Sequence, residues 1–311
     1  MSSFWVFPGQ GAQQAGMLHA LTNDPVIAQC LREASDALNE DVLTLDTQQA
    51  LQSTRAVQLC LLIAGVACSR LLMAQGNTPD YVAGLSIGAY PAAVIAGALS
   101  FADAVRLVAL RGELMQEAYP QGYGMTALIG LDQTTVEQLI AQIHSAATPV
   151  YLANINADNQ FVIAGSDQAM ASVAALAHGQ GAAAAKRLAV AVPSHCELLN
   201  TPAQKLADAF AQVTLAAPTL RYLSGSTARP IFNADKLRDD LAFNMSRVID
   251  WRSTVQTAYE RGVRLQIEMP PGTVLTGLAR RVFEQGSAVA FQGARLDTLS
   301  ALSREEGTGH P

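Results

Sequence analysis

Short β-prone runs alternate with long stretches of helical period along most of the chain. Phe4–Phe7 ("FWVF") is apolar throughout and ends at "PGQGAQ", a turn. From Asp24 to about Gln75 the pattern is helical, and Val57–Met73 is apolar nearly all round, which predicts a buried helix. "DYVAG" reads as a second strand. Helix resumes in "IGAYPAAVIAGAL", with Pro91 near its first turn. "SFADAVRLVALRGELMQEA" opens with Ser100 and Asp103 at capping-box spacing, and its apolar stripe runs Phe101, Ala104, Val105, Val108, Met115.

The texture changes near Met125. "MTALIGL", "VYLANIN", "QFVIAGS" and "AAAAKRLAV" read as strands, and "DQTTVEQLIAQIHSA" and "DQAMASVAALAHGQG" as helices. The order is β-α-β-β-α-β, which is ferredoxin-like. Residues 125–189 are therefore expected to form an inserted small α+β domain, with 1–124 and 190–311 making a large α/β domain with a mostly parallel sheet. In that second part the pattern predicts a helix over Pro202–Gln212, a strand at "LRYLSG" and helices across Asp235–Arg261. A strand at "LQIEM" and a final helix over Thr273–Glu284 follow. The tail after Asp297 reads as frayed.

Composition narrows the class. The chain has 311 residues, half of them apolar and 15% charged, with net charge −6 and no basic run. That suits a soluble globular protein and argues against a nucleic-acid partner. Ser69 and Arg70 interrupt the longest apolar segment, so a core helix explains it better than a membrane span. The four cysteines (Cys30, Cys60, Cys68, Cys196) form no CxxC pair and no zinc spacing, and the N-terminus lacks a signal-peptide pattern. A reducing, cytoplasmic location is the expectation.

Gly84-Leu85-Ser86-Ile87-Gly88 fits G-x-S-x-G between a predicted strand and a predicted helix, the context of a nucleophile elbow. At ordinary Gly and Ser usage about one chain of this length in ten carries the pentapeptide by chance, so placement matters more than the match. A serine nucleophile needs a base. His19, His144 and His178 fall on predicted helices among polar neighbours, and His310 falls in the tail. His195 leaves a strand through Pro193 into a short polar loop, where sites in α/β sheets gather. Its neighbour Cys196 reads as a packing residue. Arg111 lies on the 101/104/108/111/115 face of its helix. A guanidinium on a core-facing stripe needs an anion, which a protein carboxylate or a substrate carboxylate would supply. "FPGQGAQ" gives G-x-G, but position 14 is Gln and no acidic residue ends a second strand, so the dinucleotide fingerprint fails. A cradle of backbone N–H groups beside the serine is the better use of that loop.

Together, "FPGQGAQ", "GLSIGAY", "RGELMQEA", "NADNQFVIAG", "VPSHCELL" and "EMPPGTVLTGLARR" resemble the malonyl-CoA:acyl-carrier-protein transacylase family over about residues 4–282. The resemblance implies a hydrolase-like large domain with a ferredoxin-like insertion, and a Ser–His pair without a third acid. It implies Ser86 as nucleophile, His195 as base and Arg111 as the grip on the malonyl carboxylate. The oxyanion hole would be the backbone N–H groups of Gln10 and Ile87. A main-chain carbonyl at Asn244, in "LAFNMSRVIDW", would orient the histidine. The implied partners are malonyl-CoA and an acyl carrier protein bearing a phosphopantetheine-type arm, with no metal or redox cofactor. Members from fatty-acid synthesis read G-H-S-L-G-E, whereas this chain has Leu85 and Ala89. In that respect it is similar to the epsilon subunits of malonate decarboxylases, which prime their own carrier subunit. The alternatives are a fatty-acid-synthesis transacylase, a serine thioesterase or hydrolase with an acid among Asp103, Asp132, Asp158 and Asp167, and a non-catalytic scaffold that docks a carrier.

Overall fold

The computed structural model describes Ser2–Gly307. The first part of the chain runs β1 (Ser2–Phe7), α1 (Pro25–Leu38), α2 (Thr54–Ala74), β2 (Tyr81–Gly84), α3 (Ala89–Ile95) and α4 (Phe101–Ala118). A second stretch follows as β3 (Tyr123–Ile129), α5 (Gln133–Ile143), β4 (Val150–Ala157), β5 (Gln160–Ser166), α6 (Asp167–Gly179) and β6 (Ala184–Arg187). The chain then forms α7 (Asn200–Phe210), β7 (Arg221–Leu223), β8 (Pro230–Ile231), α8 (Ala234–Phe243) and β9 (Ile249–Asp250). It closes with α9 (Trp251–Glu260), β10 (Val263–Glu268), α10 (Val274–Ala279), β11 (Ser287–Ala290) and α11 (Leu296–Gly307).

Six strands make the larger sheet in the order β11-β10-β1-β2-β7-β8, parallel except for β8. β1 is central, which is why "FWVF" has no polar position. Phe4 and Val6 enter the apolar cluster under α9 and α10, while Trp5 and Phe7 enter the cluster under α2 and α4. α2 is long and apolar enough to cross a membrane by composition, but nearly all of it is buried inside the fold. The long helices start where polar side chains satisfy their first N–H groups. Ser100 accepts from Asp103 N at 3.1 Å, and its own hydroxyl donates to the Asp103 carboxylate at 2.7 Å.

The smaller sheet has the order β6-β3-β5-β4-β9 and is antiparallel across its first four strands. α5 and α6 cover one face around Leu128, Phe161 and Ile163. The fifth strand, β9, comes from the far side of the chain and pairs in parallel with β4. Asp250 N also donates to Gly225 O at 2.9 Å, so β9 ties the smaller sheet to the larger domain. Two residues are too few for a periodic signal, and the pattern there reads only as helix. The end of the chain also differs from expectation. Residues past Asp297 continue α11, anchored by the buried Leu299 and by Asn77 donating to Ser300 Oγ at 3.0 Å. His310 lies outside the described residues.

Candidate active site

The site is built where β2 turns into helix. Ser86 has φ +56°, a left-handed conformation that only a tight turn imposes on a serine. The turn closes because its flanks lack side chains. A Cβ on Gly84 would lie 1.8 Å from the Gly88 carbonyl carbon, and one on Gly88 would lie 2.2 Å from the Phe7 oxygen. Ser86 is thereby lifted to the start of a 3-10 turn, Ser86–Gly88, that runs straight into α3. Ile87 is the second residue of that turn, where N–H groups precede the helical ladder. The loop after β1 passes over the same point: a Cβ on Gly9 would sit 3.7 Å from Ser86 Cβ. Gln10 follows on that loop.

His195 arrives from the segment after β6, also with positive φ, +63°. Its Nε2 lies 2.9 Å from Ser86 Oγ. Its Nδ1 lies 2.8 Å from the Asn244 carbonyl and 3.2 Å from that of Arg247. Carbonyl oxygens only accept, so Nδ1 carries the proton and Nε2 is free to accept from the serine hydroxyl. Backbone holds backbone as well, with His195 N donating to Met245 O at 2.7 Å. Burial, and next the nearby Arg111 charge, push the imidazole down to about 4. The ring is therefore neutral at physiological pH, the state a general base needs.

Arg111 is fully buried, and burial works against its charge. It donates through one terminal nitrogen to Gln58 Oε1 at 2.7 Å, and through the other to Asn244 Oδ1 at 2.9 Å and Ser86 Oγ at 3.3 Å. Its Nε has no partner, and the Tyr90 ring lies beneath the guanidinium, 5.8 Å away. All these acceptors are neutral. Among the described residues no ion pair involves Arg111. The choice between a protein carboxylate and a substrate carboxylate is thus decided against the first.

Ser86, His195, Arg111 and Asn244 therefore meet at one point, with Gln10 and Ile87 on the two backbone segments that flank it. Ser86 is half-buried, while His195, Arg111 and Asn244 lie beneath the surface. The four carboxylates available to a hydrolase triad are committed elsewhere. Asp103 pairs with Arg106, Asp158 with Arg252 and Asp167 with Arg187, while Asp132 caps α5. Cys196 is buried, donates to Pro193 O at 3.3 Å, and has its thiol pushed up to about 12 by burial, so it is no nucleophile. His19 departs from the helix expectation. It sits in a turn, with Nδ1 2.9 Å from the buried Asp46 carboxylate.

The sequence reading missed Gln58. It stands in α2, fully buried, and its Nε2 donates to Gln10 Oε1 at 3.1 Å and to Met115 Sδ at 3.3 Å. A lone amide at the start of a run apolar all round was the available signal, since a buried polar group requires partners. The second reach of Asn244 was missed too: its side chain links Arg111 to Ser86 O, to which Nδ2 donates at 3.1 Å.

A serine on a strand–turn–helix elbow with a neutral histidine at its hydroxyl can carry out acyl transfer through a serine ester. The acyl transferase domain family matches residues 4–308. A malonyl CoA-acyl carrier protein transacylase of Salmonella typhimurium is 39% identical over 293 residues, covering 92% of this chain and 94% of the relative. One of Bacillus subtilis is 32% identical over 307 residues, 97% of each. The solved FabD of Acinetobacter baumannii superposes with a TM-score of 0.93 at 37% identity, over 98% of each chain. A malonyl-transacylase solved with a type II polyketide acyl-carrier protein superposes with a TM-score of 0.91 at 36% identity, over 98% of this chain and 100% of that one. The chain belongs to the malonyl-CoA:acyl-carrier-protein transacylase family.

A pH prediction follows from the imidazole. A base already neutral above pH about 4 gives a kcat/KM for acyl transfer that is flat from pH 5 to 8 and declines only as His195 is protonated on approach to about 4. An acid limb centred near pH 6.5, the value of an unperturbed histidine, would show that His195 is not held as described.

Proposed function

We propose that this protein moves a malonyl group from malonyl-CoA to the phosphopantetheine-type thiol of an acyl carrier protein, through a malonyl ester on Ser86. The observation that carries the reading is the buried Arg111 guanidinium, surrounded by neutral acceptors and 3.3 Å from Ser86 Oγ. The relatives named above support it, since they are malonyl transacylases.

The steps need only nucleophilic and acid–base chemistry. His195 Nε2 takes the Ser86 proton as Oγ attacks the thioester carbonyl. The oxyanion is received by the N–H groups of Gln10 and Ile87, each donor worth about 3 kcal/mol in systems of this kind. The C–S bond breaks, and the imidazolium returns its proton to the CoA thiolate. In the second half the carrier thiol gives its proton to His195, its sulfur attacks the ester carbonyl, and Ser86 leaves with that proton. The Asn244 and Arg247 carbonyls keep the imidazole in the one tautomer that can alternate between these roles. Arg111 selects acyl groups with a free carboxylate, because a group without one leaves the guanidinium desolvated and unmatched. The four buried free cysteines are in keeping with a reducing, cytoplasmic setting.

Of two kinds of carrier, we take the general acyl carrier protein as the acceptor. The names of the relatives favour a general acyl carrier protein, as in fatty-acid synthesis. Leu85 and Ala89, which flank the nucleophile where fatty-acid members carry His and Glu, favour the carrier subunit of a malonate decarboxylase.

Incubation with malonyl-CoA is expected to add one malonyl group to the intact mass of the wild-type protein and none to Ser86→Ala. A normal adduct on the variant removes Ser86 from the mechanism. Transfer of labelled malonyl to purified carriers of the two kinds is expected to favour the fatty-acid-synthesis carrier; a preference for the decarboxylase carrier of about tenfold or more, or about 1.4 kcal/mol, reverses the assignment.

A further inference from the structure

His195 takes its orientation from one short piece of backbone. Its Nδ1 faces the carbonyls of Asn244 at 2.8 Å and Arg247 at 3.2 Å, and its own N–H donates to Met245 O at 2.7 Å. All three oxygens lie just past α8, on the 3-10 turn Asn244–Ser246 and on the residue after it. Asn244 is held from inside the fold, by its side chain on Arg111 and Ser86 O. Arg247 is held from outside. It leaves the turn in an extended conformation, φ −112° and ψ 145°, and the next residue, Val248, is exposed. Its guanidinium reaches back along α8 to Asp239, with one terminal nitrogen 2.6 Å from one carboxylate oxygen and the other 3.0 Å from the second. On the way it lies over the Phe243 ring, 5.1 Å from the centre. Asp239, Phe243 and Arg247 thus follow one another at intervals of four residues and close the turn with a two-pronged ion pair. The paired side chains are 55% and 41% exposed, and an ion pair that open to water adds little to stability. What the pair does fix is the residue whose carbonyl meets the imidazole.

We infer that Asp239 and Arg247 are positioning residues for the base: their ion pair clamps the turn after α8 so that the Arg247 carbonyl stays on His195 Nδ1. Neither side chain touches a reacting atom. With the Asn244 carbonyl alone, the ring has one acceptor and can swing about it. The second acceptor sets the ring plane, and with it the line from Nε2 to Ser86 Oγ, on which proton removal depends. The part played in the reaction rests on the malonyl-transfer reading, whereas the hold on the ring does not. A clamp also differs from a charge effect in sign. Removing Arg247 takes away a positive charge near the imidazole and removing Asp239 takes away a negative one, so a field acting alone would drive the two variants in opposite directions. Loss of the clamp drives both the same way.

The test compares the wild type with Asp239→Ala, Arg247→Met and the double variant. The single-turnover rate of malonyl ester formation from malonyl-CoA is measured, together with thermal midpoints. The water exchange of the His195 Nδ1 proton is read by NMR in histidine-labelled protein, where its signal is identified by its loss in His195→Ala. Each single variant is expected to lower the saturated rate about fivefold, the worth of one hydrogen bond, with the half-saturating malonyl-CoA concentration unchanged within about twofold. Nδ1 proton exchange is expected to quicken by a similar factor in both, and thermal midpoints to stay within about 3 °C of wild type. Because the two residues act as one device, the double variant is expected to be no slower than either single. Opposite effects of the two variants, rates and exchange both unchanged, or losses that multiply in the double variant overturn the inference. So does a rate lost only in step with a large fall in the midpoint. If the wild type forms no malonyl ester, the transfer reading fails by itself. Proton exchange then decides the clamp, and exchange as slow in the variants as in the wild type overturns it.

Discussion

A positive charge removed from water has to be matched by something, and in this protein the match is incomplete by construction. Arg111 sits wholly inside the fold with four neutral contacts, three of them hydrogen bonds from its terminal nitrogens to oxygens and one an aromatic face. Breaking a buried ion pair is costly because it leaves an uncompensated charge. Here that state belongs to the free protein, and the surrounding fold sustains it. α2 delivers Gln58, the turn after α8 delivers Asn244, α3 places the Tyr90 ring beneath the guanidinium, and the elbow brings Ser86 alongside. The large apolar cluster around α2 and α4 packs these elements against one another.

The same constraint accounts for the histidine's partner. A catalytic imidazole is often oriented by a carboxylate, but an acid at Nδ1 would stand next to Asn244, whose side chain already touches Arg111. In the proposed mechanism it would compete with the acyl carboxylate for the guanidinium. Two main-chain carbonyls orient the ring without that competition. The cost is a weaker pull on the imidazolium, and with burial and the neighbouring cation this leaves His195 well below its ordinary range. In the proposed mechanism a weak base suffices, because the attacked carbonyl is a thioester and the leaving groups are thiolates.

Much of this was legible in the sequence, for physical reasons that differ from one element to the next. "FWVF" announces a central parallel strand because both its faces are buried. G-x-S-x-G announces the elbow because nothing larger than hydrogen fits at Gly84 or Gly88. Arg111 betrays itself by falling on an apolar stripe. The β-α-β-β-α-β order exposes the smaller sheet, but not its fifth strand. β9 is two residues long and is defined by its partners on β4 rather than by its own pattern. α11 was hidden for a related reason, since a polar amphipathic segment reads as tail until Leu299 is seen docking on the core. Gln58 was hidden by its surroundings. Periodicity assigned its helix to the core, and a core assignment says nothing about the one amide within it.

The central claim is that the site at Ser86 recognises a carboxylate through Arg111. Calorimetric binding of malonyl-CoA and acetyl-CoA to the Ser86→Ala protein tests it most directly, because no acyl transfer confuses the reading. The account predicts that malonyl-CoA binds at least about tenfold more tightly, the worth of one charge-assisted contact. Equal affinities for the two thioesters would contradict it.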